Sequence, residues 1–462
     1  MDAVTSMVCA SSEFGHCDFG DGRRNVRAIR IASDLLSSVG TPVSSTCGRS
    51  GAQAVSRFFD NPRVTDESML GGHKVQSKLR CGNVSGRILA LQDTTTLDFS
   101  SRTALDGLGP TSTSKNPSGI MMHSVLLVTE EKVPLGVLGL RLWCREVADH
   151  GQKHERRERH TMEKESAKWL WGLGEVSKHL PDIDKDVVLI GDRESDMYDL
   201  FASPRPDNVH LLVRMSQNRS VKTVDGQSLM LPALEKCPVL GRYELKVDSD
   251  NRVAKLEVRS MRVWLRAPKN RKLANSGIVT IYVVDVREVD APEGVDPLRW
   301  TLLTTLDASD FESAKYVIHC YSCRWTIEEF HRTLKSGCRV ERLQLATLAR
   351  LRPAIAMFCV VAQQVMYLTK YARTAPDEPA TNVCTEHERD TVERWVRTFR
   401  YRTFELVSVR DYVRGIGFIG GFHGRKCDGE PGVKSVWQGI RRLTDLVAGR
   451  QIERLAPAHV PS

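Results

Sequence analysis

The sequence predicts a mixed α/β protein, a sheet-bearing core framed by helical segments at both ends. Three observations carry this. Val187-Val188-Leu189-Ile190 is a continuous apolar run, as expected of a strand buried on both faces. Val125–Val128 and Pro134–Leu142 flank Glu130-Glu131-Lys132 as the arms of a hairpin. Before about residue 70 and after about Phe311, apolar residues instead recur at helical spacing.

Composition narrows the class. The chain has 462 residues, enough for about two to four domains. Hydrophobic residues make up 41% and charged residues 27%, which excludes wholesale disorder, a collagen-like repeat and a disulfide miniprotein. The longest strongly apolar stretch, near Ile355–Val361, is followed at once by Gln363 and Gln364, too short for a membrane span. Met1–Gly20 shows neither a basic start nor an apolar h-region, so no export signal is expected. With twelve scattered cysteines, a reduced cytoplasmic chain follows as the expectation. Lys plus Arg is 66 against 57 Asp plus Glu, a formal charge of +9. That permits a polyanionic partner without requiring one.

In chain order, Asp21 can cap a helix carrying Arg23, Arg24, Arg27 and Arg30 on one side, with Ile29, Ile31 and Leu35-Leu36 apolar. A solvated helix face is the plain reading of those arginines. A second helical stretch, Ala52 to Phe59, stops near Asn61-Pro62. Strand patterns follow at Ile88–Leu91, at the hairpin and at Val187–Ile190, with an amphipathic helix from Ser166 to Leu180 between them. His150, His154 and His160 sit among many charges and read as a solvated linker. Further strands are expected at Val209–Val213, Tyr243–Val247, Lys255–Val258, Met261–Leu265 and Ile278–Val286, with a basic tip from Arg266 to Lys272. From Phe311 a single long helix is expected through Glu328, then an apolar helix from Pro353 to Tyr371, a linker from Thr374 to Glu388, and a C-terminal helical segment.

Two carboxylates end apolar strands: Asp93 after Ile88–Gln92, and Asp192 after Val187–Gly191. A strand-end carboxylate can be a turn or cap residue, or a rigidly held metal ligand. Tyr321, Arg324, Glu328 and Lys335 stand at i, i+3, i+7 and i+14. At about 100° and 1.5 Å per residue they fall within about 60° of one another and span about 21 Å. That is a surface stripe with an i, i+4 ion pair, or a track along a phosphate backbone with one carboxylate in its middle. Cys320 and Cys323 have CxxC spacing, but with only His331 and Cys338 nearby the second paired element of a zinc site is missing. Gly432-Val433-Lys434-Ser435 lacks the phosphate-loop spacing, so nucleotide binding is not expected.

These residues resemble the YREK signature of the Tn-five-type bacterial transposases, in the insertion-sequence-four family of DDE transposases. Leu91-Gln92-Asp93-Thr94-Thr95-Thr96-Leu97 is similar to the family's first acidic motif, and Gly191-Asp192-Arg193-Glu194-Ser195-Asp196 to its second. Gly119 to Arg145, Glu163-Lys164-Glu165-Ser166 with Lys168-Trp169, Arg57-Phe58 before Asn61-Pro62, and Phe418 to Leu443 resemble further family segments. Detail fades within 215–295 and 372–410.

The resemblance implies an RNase H-like catalytic domain over 71–371, with a β-strand insertion at about 215–300. It implies a helical DNA-end recognition domain over 1–70 and a helical dimerisation domain over 372–462. It implies Asp93, Asp192 and Glu328 as catalytic residues and ligands of two Mg²⁺ ions, with Mn²⁺ a possible substitute. Tyr321, Arg324 and Lys335 would grip phosphates, and Trp300 would stack on a flipped base; a core tryptophan is its other reading. Arg214, Lys164, Arg23, Arg24, Arg27, Arg30 and Arg57 would contact DNA. The implied partners are double-stranded DNA, as transposon ends and target, and a second copy of the chain, with no membrane and no nucleotide cofactor. The function implied is cut-and-paste transposition. The alternatives are an RNase H-like endonuclease without strand transfer and a non-catalytic DNA-binding relative. After Arg214, Met215-Ser216-Gln217-Asn218-Arg219 is less basic than a DNA channel would lead one to expect.

Overall fold

The computed structural model describes residues 10–37, 43–102, 105, 107–111, 118–146, 164–247, 252–268, 277–401 and 403–455. His150, His154, His160 and most of the basic tip lie outside them.

Four helices come first: α1 (Ala10–Phe14), α2 (Gly22–Ser37), α3 (Val43–Phe59) and α4 (Asp66–Asn83). Thr65 and Ser68 form a reciprocal capping box that starts α4. Then β1 (Ile88–Asp98), β2 (Gly119–Val128) and β3 (Pro134–Trp143) form an antiparallel meander. After α5 (Ala167–His179), β4 (Val187–Gly191) pairs parallel to β1; after α6 (Tyr198–Ala202), β5 (Val209–Arg214) pairs parallel to β4. The resulting order, β3-β2-β1-β4-β5, is the RNase H-like sheet.

The insertion extends this sheet. It contains β6 (Ser220–Thr223), β7 (Gly226–Leu229), α7 (Met230–Lys236), β8 (Gly241–Val247), β9 (Arg252–Arg266) and β10 (Ile278–Val289). The chain returns through β11 (Arg299–Thr304), which pairs antiparallel with β5 and joins the two halves into one 11-stranded sheet. The two strands expected at Lys255–Val258 and Met261–Leu265 are one 15-residue strand, β9. Arg259 and Ser260 looked like a break, yet they pair with Asp285 and Val284 of β10 without interruption.

Alternation along the strands divides the core. Leu89, Leu91, Val188 and Ile190 face a cluster shared with the later helices, whereas Ile88, Ala90, Val187 and Leu189 face α5 and α6. The later helices are α8 (Phe311–Ser322), α9 (Trp325–Arg332), α10 (Leu348–Thr374), α11 (Glu386–Phe399), α12 (Val409–Ile419) and α13 (Val433–Leu455).

The long helix expected through Glu328 is therefore interrupted. α8 ends at Ser322, α9 restarts at Trp325, and a π-helical turn, Thr333–Gly337, follows. At the junction the Cys323 and Arg324 amides bond the Cys320 and Tyr321 carbonyls in the tighter i−3 pattern. α10 begins at Leu348, capped by Thr347 whose side chain accepts from the Arg350 amide, rather than at Pro353. α10 is long and apolar enough to cross a membrane by length and composition, but 94% of its most apolar window is buried inside the fold.

Candidate active site

Strand parity brings the first two acids together. Asp93 continues the series Leu89, Leu91, and Asp192 the series Val188, Ile190, so both leave the same face. Leu91 pairs with Ile190 across adjacent parallel strands. Extending that register by two residues sets Asp93 beside Asp192, at a strand spacing of about 4.8 Å. Gly191 pairs with Val213, so Arg214 comes next in the row, and β11 carries Trp300 on the neighbouring strand.

α9 lies over this face with Ile327 and Phe330 fully buried in the shared cluster. That anchorage turns Glu328 toward the acids. Between them stands Arg324, bonded to the Glu328 carboxylate and 3.9 Å from Asp93 Oδ2. Tyr321 is buried edge-on against Trp300, with ring centroids 5.6 Å apart. Lys335 sits on the π turn among the charges of Asp98 and Glu341, so it faces the far end of β1. The YREK residues thus follow β1 from Asp93 to Asp98. Because the helix is interrupted, they do so as a buried aromatic, a bridging arginine, a carboxylate and a half-buried lysine, not as one exposed stripe.

The electrostatics are those of crowded anions. The Asp93 carboxyl is pushed up to about 6, chiefly by burial and also by the Asp192 and Glu328 charges, against the opposing Thr94 amide and Arg324. Asp192 is raised too, first by burial, against the Glu194 amide, Arg324 and Lys168. Each carboxylate accepts one backbone N–H: Asp93 from Thr94 at 2.7 Å and Asp192 from Glu194 at 2.8 Å.

The Asp93 shift has a sign that can be tested. Its folded pKa exceeds its unfolded one, so the stabilisation is complete below about 4 and is lost as pH rises through about 6. In metal-free buffer at pH 7–8, Asp93→Asn should be more stable than wild type by about 1–3 kcal/mol, and equal to it near pH 4. Urea titrations at both pH values measure this; a pH-independent difference would show that the carboxyl carries no such burden.

The donor set suits a hard divalent cation: three oxygen-only ligands in a desolvated setting with excess negative charge. Among the described residues no three His, Cys, Asp or Glu side chains already form a closed ligand group. Glu328 is engaged by Arg324, and it would have to release that arginine to complete a cage with Asp93 and Asp192. Cys320, Cys323 and Cys338 are buried free thiols, and His331 bonds Ser124 at 2.8 Å.

A cleft of about 1160 Å³ opens from Asp93 and Asp192 toward the insertion, past Lys164, Lys168, Arg193, Lys222 and Arg266. Lys168 was missed as a site residue in the sequence. It is almost fully buried, reaches Glu194 at 3.1 Å and lies near enough to Asp192 to lower its pKa. Its only signal was its place in the Lys168-Trp169 motif. The weakly basic stretch after Arg214 also has a role. The Asp196 carboxylate accepts the Ser216 and Gln217 amides and binds Arg219, tying the insertion to the turn that follows Asp192.

In the N-terminal helices, Arg27, Arg30 and Arg57 are exposed. Arg23 is exposed but bonded to Asp21 at 2.9 Å, and Arg24 turns inward to the Phe19 carbonyl at 2.6 Å. The single basic side expected of α2 therefore lacks Arg24, because the carbonyl at the end of the preceding loop needs a donor.

Asp93, expected at a strand end, lies instead in the middle of β1, paired with Ser124, while Asp192 follows the end of β4. An RNase H-like sheet that carries two neighbouring aspartates beneath a helix-borne glutamate points to a DDE-type polynucleotidyl transferase. Comparison with known families agrees. A model of transposase DNA-binding domains matches residues 6–64, one of the transposase DDE domain residues 172–362, and one of the Tn5 transposase dimerisation domain residues 360–457. The chain belongs to the Tn5-type transposases: DNA-binding proteins with a DDE domain and a dimerisation domain. The DDE domain implies divalent-metal catalysis. Asp192 and Glu328 lie inside the matched DDE segment; Asp93 precedes it and joins them through the sheet.

Proposed function

We propose that this transposase excises its element by nicking each end, closing a hairpin and joining the released 3′ end to target DNA. We propose that Asp93, Asp192 and Glu328 are the catalytic residues. The observation that carries this is the register of β1 on β4, which places two acids side by side on the face covered by α9.

Two Mg²⁺ ions held by the three carboxylates would activate the attacking hydroxyl and stabilise the leaving oxygen. The protein's own groups position the strand. Arg324, once free of Glu328, offers a planar fork to a phosphate, and Lys335 offers a point charge further along the track. Arg214, beside Asp192, would hold the backbone where β5 ends, and Lys164 would do so in the cleft. Arg23, Arg27, Arg30 and Arg57 would approach the terminal repeat, with Arg24 holding the start of α2 in place. Water attacks first; the freed 3′-hydroxyl then attacks the opposite strand. Each joining step exchanges one phosphodiester for another, so no nucleotide cofactor is consumed.

The domain division proposed is 1–70 for end recognition, 71–371 for catalysis and 372–462 for pairing two copies. Among the described residues the cysteines are free and mostly buried, which suits a reducing cytoplasm.

Incubating the chain with its element's ends and Mg²⁺ tests the proposal, with products resolved on a denaturing gel. Nicks followed by hairpins and joined products are expected. Double-strand breaks without hairpins or joining would mark an endonuclease, and binding without any cleavage a non-catalytic relative. In the same assay Trp300→Ala should slow hairpin closure about 10- to 100-fold, the value of one base–aromatic stack. First-strand nicking should change little. Equal loss of both steps would assign Trp300 to packing against Tyr321 instead.

A further inference from the structure

α9 meets the sheet through a polar contact as well as an apolar stripe. Ile327, Phe330 and Leu334 are fully buried, and His331 stands among them at i+4 from Ile327. Its Nε2 lies 2.8 Å from the Ser124 hydroxyl of β2, and both residues are buried. Burial, helped by the Lys335 charge, pushes the His331 pKa down to about 3, so the ring is neutral and the bond is an uncharged one. Ser124 is the residue paired directly with Asp93 across β1 and β2. Directly opposed residues share a face and set their Cβ atoms about 5 Å apart. His331 comes one turn after Glu328, about 60° round the helix and about 4.5 Å along it. The bond therefore joins the neighbour of the helix acid to the neighbour of a sheet acid.

Apolar contacts hold a helix on a sheet without fixing its height and rotation, whereas a buried hydrogen bond is directional and fixes both. A catalytic constellation must be held within about 0.5 Å of its productive geometry. Arg324 cannot supply that precision, since it ties Glu328 to Asp93 only until it takes a phosphate. Neither His331 nor Ser124 bonds Asp93 or Glu328 through its side chain among the described residues, so their bond stays when the arginine leaves. Resting on the triad read above, we propose that His331 and Ser124 are positioning residues. Their bond acts as a strut that sets the height of Glu328 over Asp93 and so fits the carboxylate cage to Mg²⁺.

The test uses Ser124→Ala, His331→Phe, His331→Gln and the double variant of the first two in the full chain, with Glu328→Gln as control. Mn²⁺ binding is followed by electron paramagnetic resonance with a pre-cut element end present. Nicking is measured over a series of Mg²⁺ and Mn²⁺ concentrations, and circular dichroism reports folding. Ser124→Ala and His331→Phe should each weaken Mn²⁺ binding about tenfold and raise the Mg²⁺ needed for half-maximal nicking by a similar factor. At saturating Mn²⁺, nicking should return to within about threefold of wild type, because all three acids are intact. His331→Gln, whose amide can reach Ser124, should recover most of the loss. The double variant should be no worse than either single one, since both remove the same bond. Unchanged Mn²⁺ affinity in the two single variants would overturn the proposal. So would additive losses, or slow nicking that saturating metal does not restore; either would assign the pair to core packing. If Ser124→Ala does not fold, His331→Phe against His331→Gln decides, and equal affinities would overturn the strut. Glu328→Gln separates the two readings. Wild-type Mn²⁺ affinity in that control would sink the triad and the strut together, whereas loss there with none in Ser124→Ala and His331→Phe would sink the strut alone.

Discussion

Replacing Asp192 by asparagine, or Glu328 by glutamine, should reduce cleavage of element ends by at least about 10³-fold while leaving end binding within a few-fold of wild type. Both substitutions keep shape and remove one charge. The sheet position of Asp192 is set by Val187–Ile190, all buried, and that of Glu328 by Ile327 and Phe330, so neither backbone should move. Binding should survive because the exposed arginines expected to read DNA are on α2 and α3, away from the acids. Gel shift and cleavage assays on the same preparations measure the two effects. A fully active variant of either residue would remove it from the catalytic set. Glu328→Gln has a second consequence. Arg324 loses its charged partner, so the guanidinium should become freer to bind phosphate, and Kd for a cleaved end should hold or fall rather than rise.

The acids were legible in the sequence for a physical reason. A strand buried on both faces must be nearly all apolar, so the run Val187–Ile190 stands out and Asp192 follows it directly after Gly191; Asp93 instead comes one residue after Gln92, in the middle of β1 rather than at its end. Their adjacency was not legible, because register depends on which strands pair, and the long stretch between Leu91 and Val187 carries no sign of it. The helix after Phe311 was readable as amphipathic, yet its break at Cys323 was invisible, since no glycine or proline marks it. That break changes the chemistry: it buries Tyr321 against Trp300 and leaves Trp325 outside. The wheel argument set Tyr321, Arg324, Glu328 and Lys335 on one face, whereas Tyr321 is buried and Arg324, Glu328 and Lys335 are only partly exposed. In the insertion, two apparent strands merged because the polar Arg259-Ser260 pair, which reads equally well as a turn, is held in register by Asp285 and Val284 of β10. Least legible of all was Glu13, a single acid in a polar opening segment, whose partners lie 60 and more residues away.

Glu13→Ala should destabilise the fold by about 3–5 kcal/mol, because it strands several buried groups at once. Glu13 is fully buried, with its carboxylate bonded to His73 Nδ1 at 2.5 Å, Arg80 Nη1 at 2.6 Å and Gln364 Nε2 at 2.8 Å. The other His73 nitrogen, Nε2, accepts the Val137 amide at 2.8 Å. That bond leaves the proton on Nδ1, so His73 is neutral and donates to Glu13. One carboxylate therefore joins α1, α4, α10 and β3, the junction between the N-terminal helices and the catalytic sheet. Burial raises the Glu13 pKa, but His73 and Arg80 outweigh it and hold the group down at about 2; burial keeps the His73 pKa low. The signs agree. The Glu13 contribution is complete above about 4.5 and is lost as pH falls toward 2, and the neutral His73 contribution starts to fade below about 6.5 as the unfolded chain takes up a proton. Wild type should lose stability steadily on acidification. Glu13→Ala should be weak already at pH 7 and show a shallower slope, whereas Glu13→Gln, which keeps an acceptor for His73, should fall between them. Urea midpoints from pH 7 down to about pH 2.5 measure all three. A loss under about 1 kcal/mol for the alanine variant would mean that water replaces the carboxylate at this junction, and that the N-terminal helices are held to the sheet by apolar contact alone.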